Sequence, residues 1–560
     1  DADDDVWIND LGDTILMGTG TVHPKALIYT EGSFPFGDFV FASGTGDSTR
    51  QPYYRFNTEA EIAATARTGT VTVTSGADLF SDDYIGTRIR YVNREIEITA
   101  VASATSATGT VIQELPPRYR LTVADASGFE VGDAVEHATL KGQGVITSIS
   151  GTFIFVLVTS LFTGFEGSGE VVGPNAVATI SAISETANVP FTSIWDEQMM
   201  SPARGYPNSS SNHRGRLIFS DFPQAPNAIA LSSAGAISDF LVGTNDDDAI
   251  IDTISASKSV RVLHVVSAED LVILTSRGCY YVQTRDGSLM TPATFNPIEF
   301  DTMGASTVRP TRVDDGVVFI AKNGSNLYGA ILQGDIYKAW TLIPLSDYHN
   351  HLIVTPTRVT STNNDSDRPE RFVFIRNSDG TVTVMRWERG PAYPQDTIGM
   401  VPWVTSGTYL SVFMAVGTIH SIVERTVNGA TVRFIERFDP RSQVDPGARL
   451  TSLSALVVDE NGDTVVDENG LELVGQDSAA VHLSGDTAAV FVNDWDLGDF
   501  TIKGESIYTQ LVPSAQTETP ISFVPPYSAA GLPVPGAETL TYTASHNWTT
   551  SLNFNLPGGC

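Results

Sequence analysis

The segment VVFIAKNGSNLYGAIL (317–332) indicates the fold class of this chain. Two runs of β-branched, aromatic and other apolar residues flank an Asn-Gly pair, which suits the positive φ values of a tight hairpin turn. The same strand–turn–strand pattern recurs in RFVFIRNSDGTVTVMRW (371–387) and in IHSIVERTVNGATVRFIERF (419–438). Repeated hairpins at this spacing predict a propeller, or a large barrel or sandwich.

Composition narrows the class of protein. The chain has 560 residues, of which 41% are hydrophobic and only 18% charged, with a formal net charge of −32. Such an acidic surface repels nucleic-acid phosphates instead of gripping them. The two cysteines, Cys279 and Cys560, imply no disulfide framework and favour folding in a reducing compartment.

Neither targeting nor membrane insertion is indicated by the sequence. The chain begins DADDDVW, so we expect a processed or partial chain without a signal peptide. The most apolar run, TFIFVLVTSLF (152–162), is shorter than the roughly 20 residues that span a bilayer. We therefore expect no membrane-spanning segment.

Four regions follow from the pattern along the chain. Residues 1–67 form an N-terminal segment with one short helix, predicted at NTEAEIAATAR (57–67) with Asn57 or Thr58 as its cap. We expect duplicated small β modules at 68–175 and a β-propeller-like core at 176–440. A C-terminal β meander with extended surface chain is expected at 441–560.

The duplication rests on two loosely matching stretches. TVTVTSGADLFSDDYIGTRI (70–89) recurs as RLTVADASGFEVGDAV (120–135), and LPPR (115–118) is the expected joint between them. The predicted fold is therefore mainly β, with a β-propeller-like core and additional small β-barrel or β-sandwich modules.

Three acidic or histidine-containing stretches contain residue types that bind metal ions. The repeated VVDENG (457–462 and 465–470) supplies oxygen ligands for Ca²⁺, but two hairpin turns explain the repeat as well, and NDDD (245–248) has the same two explanations. YHNH (348–351) has only Asp347 beside it as a further ligand. Phosphate-loop, nucleophile-elbow and HExxH motifs are absent, so we expect no catalytic residue, no bound metal and no cofactor.

The stretch WDEQMMSPARGYPNSSSNHRGRLIFSDFPQAPNAIALS (195–232) allows two interpretations. As a binding site, Trp195 and Tyr206 would stack on a sugar or base, and arginines at 204, 214 and 216 would hold a carboxylate or phosphate. As a structural element, RLIFS and AIALS are two strands joined by a turn at Pro226.

The structural interpretation is favoured, because no nucleophile–base pair accompanies these residues. In it, Arg204 and Arg216 tie the loop SPARGYP to the hairpin through hydrogen bonds to carbonyl groups. The predicted clamp comprises Trp195, Arg204, Gly205, Tyr206, Arg216 and Pro226.

These residues also carry a resemblance. W-D-E…S-x-x-R-G-Y-P, then R-L-I-F, P-N-A-I-A-L-S and S-D-F, resemble the tail nozzle proteins of short-tailed bacteriophages, also called tail tubular protein B or phage stabilisation protein. Similar segments follow in the family's order at 246–282, 288–329, 371–390, Trp403 and 419–438. The resemblance covers roughly 190–440; residues 1–64 do not match the family's opening block, and 68–175 and 441–480 are elaborations.

The resemblance implies a structural, non-enzymatic virion protein. Its propeller-like core would assemble as a ring, a homo-hexamer, below the ring of tail adaptor protein at the tail tip, after synthesis in the host cytoplasm. Genomic DNA would leave through the central channel, and tail fibres or spikes would dock outside. Two alternatives stay open: a propeller-type polysaccharide depolymerase and a Ca²⁺-dependent adhesive virion protein.

Overall fold

The computed structural model describes residues 6–438 except for gaps at 31–32, 161–163, 256–258, 286, 288–289, 314–315, 334–338, 363–371, 389–396, 406, 416 and 428–429; beyond 438 it describes only strands between 453 and 554. The chain divides into two compact units, one of residues 1–323 and 328–343, the other of 324–327 and 344–560. The described residues contain no helix long and apolar enough to cross a membrane.

The first unit opens with a four-stranded antiparallel sheet in the order β1-β2-β3-β4. Its strands are β1 (Trp7–Asp10), β2 (Thr14–Thr19), β3 (Val22–Ile28) and β4 (Phe36–Asp38). The N-terminal segment therefore supplies a four-stranded sheet of the propeller-like type that lies outside the range predicted for the β-propeller-like core, 176–440.

An eight-stranded sheet follows, in the order β17-β6-β7-β10-β9-β8-β18-β5. Its strands are β5 (Tyr53–Tyr54), β6 (Ile62–Ala64), β7 (Thr70–Ser75), β8 (Arg88–Tyr91), β9 (Arg94–Ser103), β10 (Ser106–Val111), β17 (Val189–Thr192) and β18 (Trp195–Gln198). A 3-10 turn at Asp82–Tyr84 precedes β8.

Between β10 and β17 the chain forms a closed barrel in the order β11-β14-β13-β12-β15-β16. Its strands are β11 (Arg118–Val123), β12 (Ala134–His137), β13 (Gln143–Ser150), β14 (Phe153–Val158), β15 (Gly169–Val172) and β16 (Val177–Thr186). The predicted small β module is thus a barrel, and its last strand extends beyond the predicted boundary at 175.

The two copies of the predicted duplication share a local hydrogen-bond pattern. In the first copy, Gly86 N–H donates to Ile98 O at 2.8 Å; in the second, Gly132 N–H donates to Ile146 O at 2.8 Å. Both glycines have positive φ values, 84° and 98°. The copies nevertheless belong to different sheets, because only the second closes into a barrel.

Three further four-stranded sheets complete the first unit, each with its strands in chain order. The strands are β19 (Ser209–His213), β20 (Arg216–Ser220), β21 (Ala228–Leu231), β22 (Ile250–Thr253), β23 (Val262–Ser267), β24 (Leu271–Thr275), β25 (Cys279–Val282), β26 (Ile298–Asp301), β27 (Thr311–Val313), β28 (Gly316–Ile320), β29 (Leu327–Leu332) and β30 (Trp340–Pro344). The strands predicted at 216–220 and 228–232 are confirmed as β20 and β21.

These sheets pack face to face, so both faces of their middle strands are buried. On β20, Leu217 and Phe219 join a core with the first sheet, whereas Ile218 joins a core with β23 and β24. On β24, alternation places Ile273 in that second core and Val272 in a third core against β28. Successive side chains of a strand point to opposite faces of the sheet, and here both faces are apolar. A propeller blade that packs between two neighbouring blades requires this arrangement.

The second unit has its own sheets. They are β31 (Pro356–Ser361), β32 (Phe372–Asn377), β33 (Val382–Glu388) and β34 (Thr397–Trp403), then β35 (Thr408–Ala415), β36 (Thr418–Val427) and β37 (Ala430–Arg437). Phe374 on β32 and Val412 on β35 pack in one core, which joins these two sheets of the second unit.

Short sheets follow toward the C-terminus: β38 (Leu453–Leu456) with β39 (Val474–Asp477), β40 (Thr487–Val492) with β41 (Trp495–Thr501), and β42 (Thr517–Phe523), β43 (Glu538–Ser545) and β44 (Trp548–Phe554). The VVDENG repeats lie outside the described residues. The fold class is mainly β, with a β-propeller-like core and a small closed barrel, as predicted.

The helix predicted at 57–67 is not formed. The Asn57 side chain does accept hydrogen bonds from Glu59 N–H and Ala60 N–H, both at 3.0 Å, but these bonds close a turn. The chain then enters β6, which pairs with β7 and β17. The cap signal was correct in its chemistry, and tertiary strand pairing overrode the helical propensity.

Candidate functional site

Trp195 is an anchor of the core beneath the eight-stranded sheet. It lies on β18, is 4% exposed and packs among the apolar side chains of β6 to β10. Its indole Nε1–H donates to Ala60 O at 2.7 Å. With its polar edge satisfied and its ring enclosed, Trp195 is not available to stack on a ligand.

Arg204 forms a buried ion pair with Glu197, which lies two residues beyond Trp195 on the same face of β18. Its Nε and Nη2 donate to the two carboxylate oxygens at 3.1 and 2.7 Å, and Nη2 also donates to the Tyr84 hydroxyl. The guanidinium lies 4.6 Å from the centre of the Phe56 ring. The prediction that Arg204 binds carbonyl groups is therefore wrong, since its partners are a carboxylate and a phenol.

Burial dominates the electrostatics of this pair. The Glu197 side chain is fully buried, and burial raises the pKa of its carboxyl although Arg204 opposes the shift. Burial likewise raises the pKa of Tyr84. Because both carboxylate oxygens are engaged by one guanidinium, the arrangement acts as a brace between the loop and the sheet.

Gly205 and Tyr206 connect the same loop to the first sheet. Gly205 has a φ of +77°, and a Cβ added there would lie 2.8 Å from Pro223 Cγ. Tyr206 N–H donates to Gly20 O at 3.1 Å, and its ring meets the His23 ring edge-on at 5.7 Å. Glycine is therefore required at 205 both by backbone conformation and by space.

Arg216 is a buried cation held by carbonyl groups. It is 3% exposed. Nη1 donates to Ser232 O and Asp248 O, each at 2.7 Å, and Nη2 donates to Asp246 O at 3.0 Å. Burial lowers the pKa of Arg216, with Asp247 and Asp248 opposing the shift. The predicted type of bond is present, but it fixes the NDDD loop and the end of β21, not the loop SPARGYP.

Pro226 lies at the second position of the turn between β20 and β21. Ala228 N–H donates to Ala225 O at 2.9 Å and closes the turn. The carbonyl oxygen of Pro226 accepts a hydrogen bond from Val262 N–H at 2.6 Å, which connects this turn to the next sheet. The six predicted residues therefore make separate contacts with different parts of the first unit, and the structure does not gather them into one pocket.

His213 belongs to a buried polar contact that sequence reasoning missed. One ring nitrogen lies 2.8 Å from Ser267 Oγ and the other 3.0 Å from Thr284 Oγ1. Burial lowers the pKa of His213 to about 4, so the ring is neutral at pH 7. A Ser–His contact resembles half of a hydrolytic triad, but here a threonine hydroxyl occupies the place of the orienting carboxylate.

Asp270 is linked to His213 through Thr284 and extends this polar contact to a further sheet. It is fully buried, accepts hydrogen bonds from Thr284 N–H and Trp340 Nε1–H, both at 2.8 Å, and pairs with Arg285. The partners are 14 to 70 residues away in sequence, so no local motif marks them. The cluster joins three consecutive sheets of the first unit by bonds between side chains.

A groove of about 420 Å³ opens on the barrel. Its lining includes the carboxylates of Glu166 and Glu185 and the apolar side chains of Ile180 and Ile183. The Tyr119 hydroxyl donates to Glu166, and Glu185 pairs with Arg67. This groove is a concave surface that presents two carboxylates.

No cluster of three or more His, Cys, Asp or Glu side chains that could hold a metal ion occurs in the part of the chain that the structure describes. YHNH falls on a turn that leads into a 3-10 segment (Asn350–Leu352). The Asp248 carboxylate of NDDD accepts Asn245 N–H at 2.8 Å. Cys279 is buried, and burial raises the pKa of its thiol.

No protein-family model and no curated protein matches the chain. It is similar to a solved auxiliary nutrient-binding protein from Bacteroides ovatus at 9% identity, covering 69% of this chain and 100% of that one, with a TM-score of 0.25. Apo AztD from Citrobacter koseri is 7% identical, with 80% of this chain and 95% of that one covered and a TM-score of 0.25. The dihydro-heme d1 dehydrogenase NirN is 9% identical, with 84% of this chain and 78% of that one covered and a TM-score of 0.27. At these identities and scores the likenesses carry no conclusion about function.

Proposed function

We propose that this protein is the tail nozzle of a short-tailed bacteriophage, a ring-forming structural virion protein through which genomic DNA is ejected. One observation carries the proposal. The segments that resemble nozzle proteins follow one another from 195 to 438, and they fall in the same order on β18 and the successive sheets from β20 to β37. The resemblance therefore covers sheets that follow the inserted barrel, and it omits both the barrel and the first sheet, β1–β4.

The predicted clamp residues fit a structural role. Arg204, Arg216 and Trp195 are engaged by protein groups, as are the buried His213 and Asp270. Buried polar side chains with specific partners fix one arrangement of packed elements. A conduit that has to keep its shape while DNA passes needs such fixed contacts between sheets.

The charge of the chain also suits a conduit. A formal net charge of −32 per copy repels the phosphate backbone, so DNA would move along an acidic wall without being held. On this proposal the ring is a homo-hexamer that contacts the tail adaptor ring above and tail fibres or spikes outside.

Mass measurement of the purified protein tests the assembly. The proposal predicts rings of six 60.0 kDa chains and the presence of the chain in purified tails. A stable lone monomer that is absent from tails would refute it.

The barrel groove favours a second candidate, an enzyme acting on bacterial surface polysaccharide. Its two carboxylates, Glu166 and Glu185, are the residue type that glycoside hydrolysis uses in pairs. Incubation with host polysaccharide distinguishes the candidates. Cleavage that is lost in Glu166→Gln would support the enzyme, whereas ring assembly without cleavage would exclude it.

A further inference from the structure

The barrel carries two chemically different faces on opposite sides. In the closed order β11-β14-β13-β12-β15-β16, β11 is three strands from β12 in either direction, and β14 is three strands from β15. The outward side chains of β11 and β14 therefore point away from those of β12 and β15.

The face on β11 and β14, called here the cationic face, comprises Arg118, Arg120, Phe153 and Phe155. The guanidinium of Arg118 lies 4.6 Å from the centre of the Phe155 ring, and that of Arg120 lies 5.0 Å from the centre of the Phe153 ring. Arg118 is also held by the hydroxyls of Thr147 and Ser148, at 2.8 and 2.7 Å. Stacking and hydrogen bonding hold these cations in place.

The positions around the cationic face carry no carboxylate. The residues in register with the cationic face are hydroxyl-bearing, small or apolar: Ala182, Ser184, Thr186, Thr122, Leu157, Val145, Ser148 and Ser150. Leu157 is buried in the core of the eight-stranded sheet, so the face is covered at that end. The chain as a whole has 65 acidic against 33 basic residues. A sheet surface with two arginines and no acid is therefore a local reversal of the charge of the molecule.

The face on β12, β15 and the adjoining end of β16, called here the acidic face, comprises Glu136, Glu170, Val172 and Val177. The two valines oppose each other across β15 and β16 and are 36% and 58% exposed. Glu136 has Lys141 as a partner at 2.7 Å, in an exposed pair that contributes little. The exposed aliphatic side chains beside these carboxylates are complementary to the half-buried rings of Phe153 and Phe155, which stack with the guanidinium groups of Arg118 and Arg120.

We propose that the cationic face of one copy binds the acidic face of the barrel in the next copy. The occupant is a second copy of this chain, because one rigid barrel presents both halves of a complementary contact on opposite sides. A two-fold contact of either face with itself would oppose like charges, whereas a head-to-tail contact repeats from copy to copy and forms a ring when the rotation between neighbouring copies closes. This interface rests on the proposed function, which requires a ring, and it assigns the inserted barrel the role of joining neighbouring copies.

Charge reversal tests the interface. Arg120→Glu and Glu170→Arg change exposed residues, one on each face. Each variant alone should raise the concentration at which half of the subunits dissociate by about tenfold or more, because like charges then meet across the contact. Arg277→Glu and Glu59→Arg, at exposed positions outside the barrel, are the matched controls and should assemble as wild type.

Restoration gives the decisive result. An equal mixture of Arg120→Glu and Glu170→Arg chains should assemble again, since every contact between alternating copies then joins a guanidinium to a carboxylate. The double variant in one chain should recover to within about threefold of wild type, because both charges of each contact are exchanged. Restoration also shows that the single variants are folded.

Three results would overturn the proposal. Normal assembly of both single variants would place the interface elsewhere and leave the proposed nozzle ring intact. Loss of assembly without restoration in the mixture or the double variant would contradict the pairing of these faces. Unchanged assembly together with loss of oligothymidine binding in Arg120→Glu would reassign the cationic face to single-stranded nucleic acid. A wild-type chain that is monomeric would instead contradict the proposed function itself.

Discussion

Replacing Arg216 by alanine removes a buried cation and leaves three carbonyl groups without their donor. Those groups belong to Ser232, Asp246 and Asp248, so the end of β21 and the loop before β22 lose a common tie. Water can reach the loop carbonyls more easily than the buried Ser232 carbonyl, because only the latter bond is fully buried.

The magnitude follows from these three bonds. A hydrogen bond to a charged group contributes about 1.5–3 kcal/mol to stability, and less where solvent competes. With about 2 kcal/mol for the buried bond and about 0.5 kcal/mol for each of the others, Arg216→Ala should lower the free energy of unfolding by about 3 kcal/mol. That corresponds to a fall in melting temperature of about 6 °C for a large unit.

Denaturant unfolding of Arg216→Ala, Arg216→Lys and the exposed control Arg277→Ala measures the effect. A lysine ammonium is compact and lacks the planar fork that reaches three carbonyls, so Arg216→Lys should fall between alanine and wild type. The control should change by less than about 0.5 kcal/mol. A change that small in Arg216→Ala would refute the clamp, as would normal folding and assembly with the loss of a catalytic activity.

Three further predictions concern Gly205, His264 and the Glu197–Arg204 ion pair. Gly205→Ala should cost about 1 kcal/mol more than Gly235→Ala, because both glycines have positive φ values but only the first would meet a neighbouring side chain, and thermal melts of the pair measure the difference. His264 is buried on β23, with its Nε2 3.3 Å from Ser306 O. Burial lowers its pKa to about 4, below the unfolded value near 6.5, so its contribution to stability is full above about pH 6.5 and falls as the pH drops toward 4. The wild type should lose about 2 kcal/mol from this group by pH 5, a loss absent in His264→Gln, and equal losses in both would contradict the prediction. Glu197→Gln should destabilise the fold by about 3 kcal/mol by leaving Arg204 without its carboxylate, and Glu197→Gln with Arg204→Met should recover part of that loss; a double variant worse than both single ones would contradict the pairing.

The propeller-like strands were predictable from sequence because their signals are local. β20 and β21 are short apolar runs separated by a proline turn, and β32 and β33 flank an Asp-Gly turn whose glycine has a φ of +85°. Turn chemistry and a buried period of two need no knowledge of distant residues. Asn57 shows the limit of this reasoning, since its cap bonds serve a turn as well as a helix.

The partners of the buried polar residues could not be predicted. Arg216 binds groups 16 to 32 residues away, and His213 contacts Ser267 and Thr284, 54 and 71 residues away. The sequence indicates that the Arg216 side chain donates hydrogen bonds, but the packing of successive sheets decides which acceptors lie near it. Arg204 is a different case, because its partner Glu197 lies only seven residues earlier, on β18. The prediction of carbonyl partners overlooked this nearby carboxylate.

The proposal that this chain is a tail nozzle is tested most directly by electron microscopy of purified phage particles with the chain located by a label. The proposal predicts six copies in a ring at the tip of a short tail, around a channel continuous with the path of the DNA. Particles in which the labelled chain is absent from the tail, or projects outside it as a separate appendage with polysaccharide-cleaving activity, would contradict the proposal.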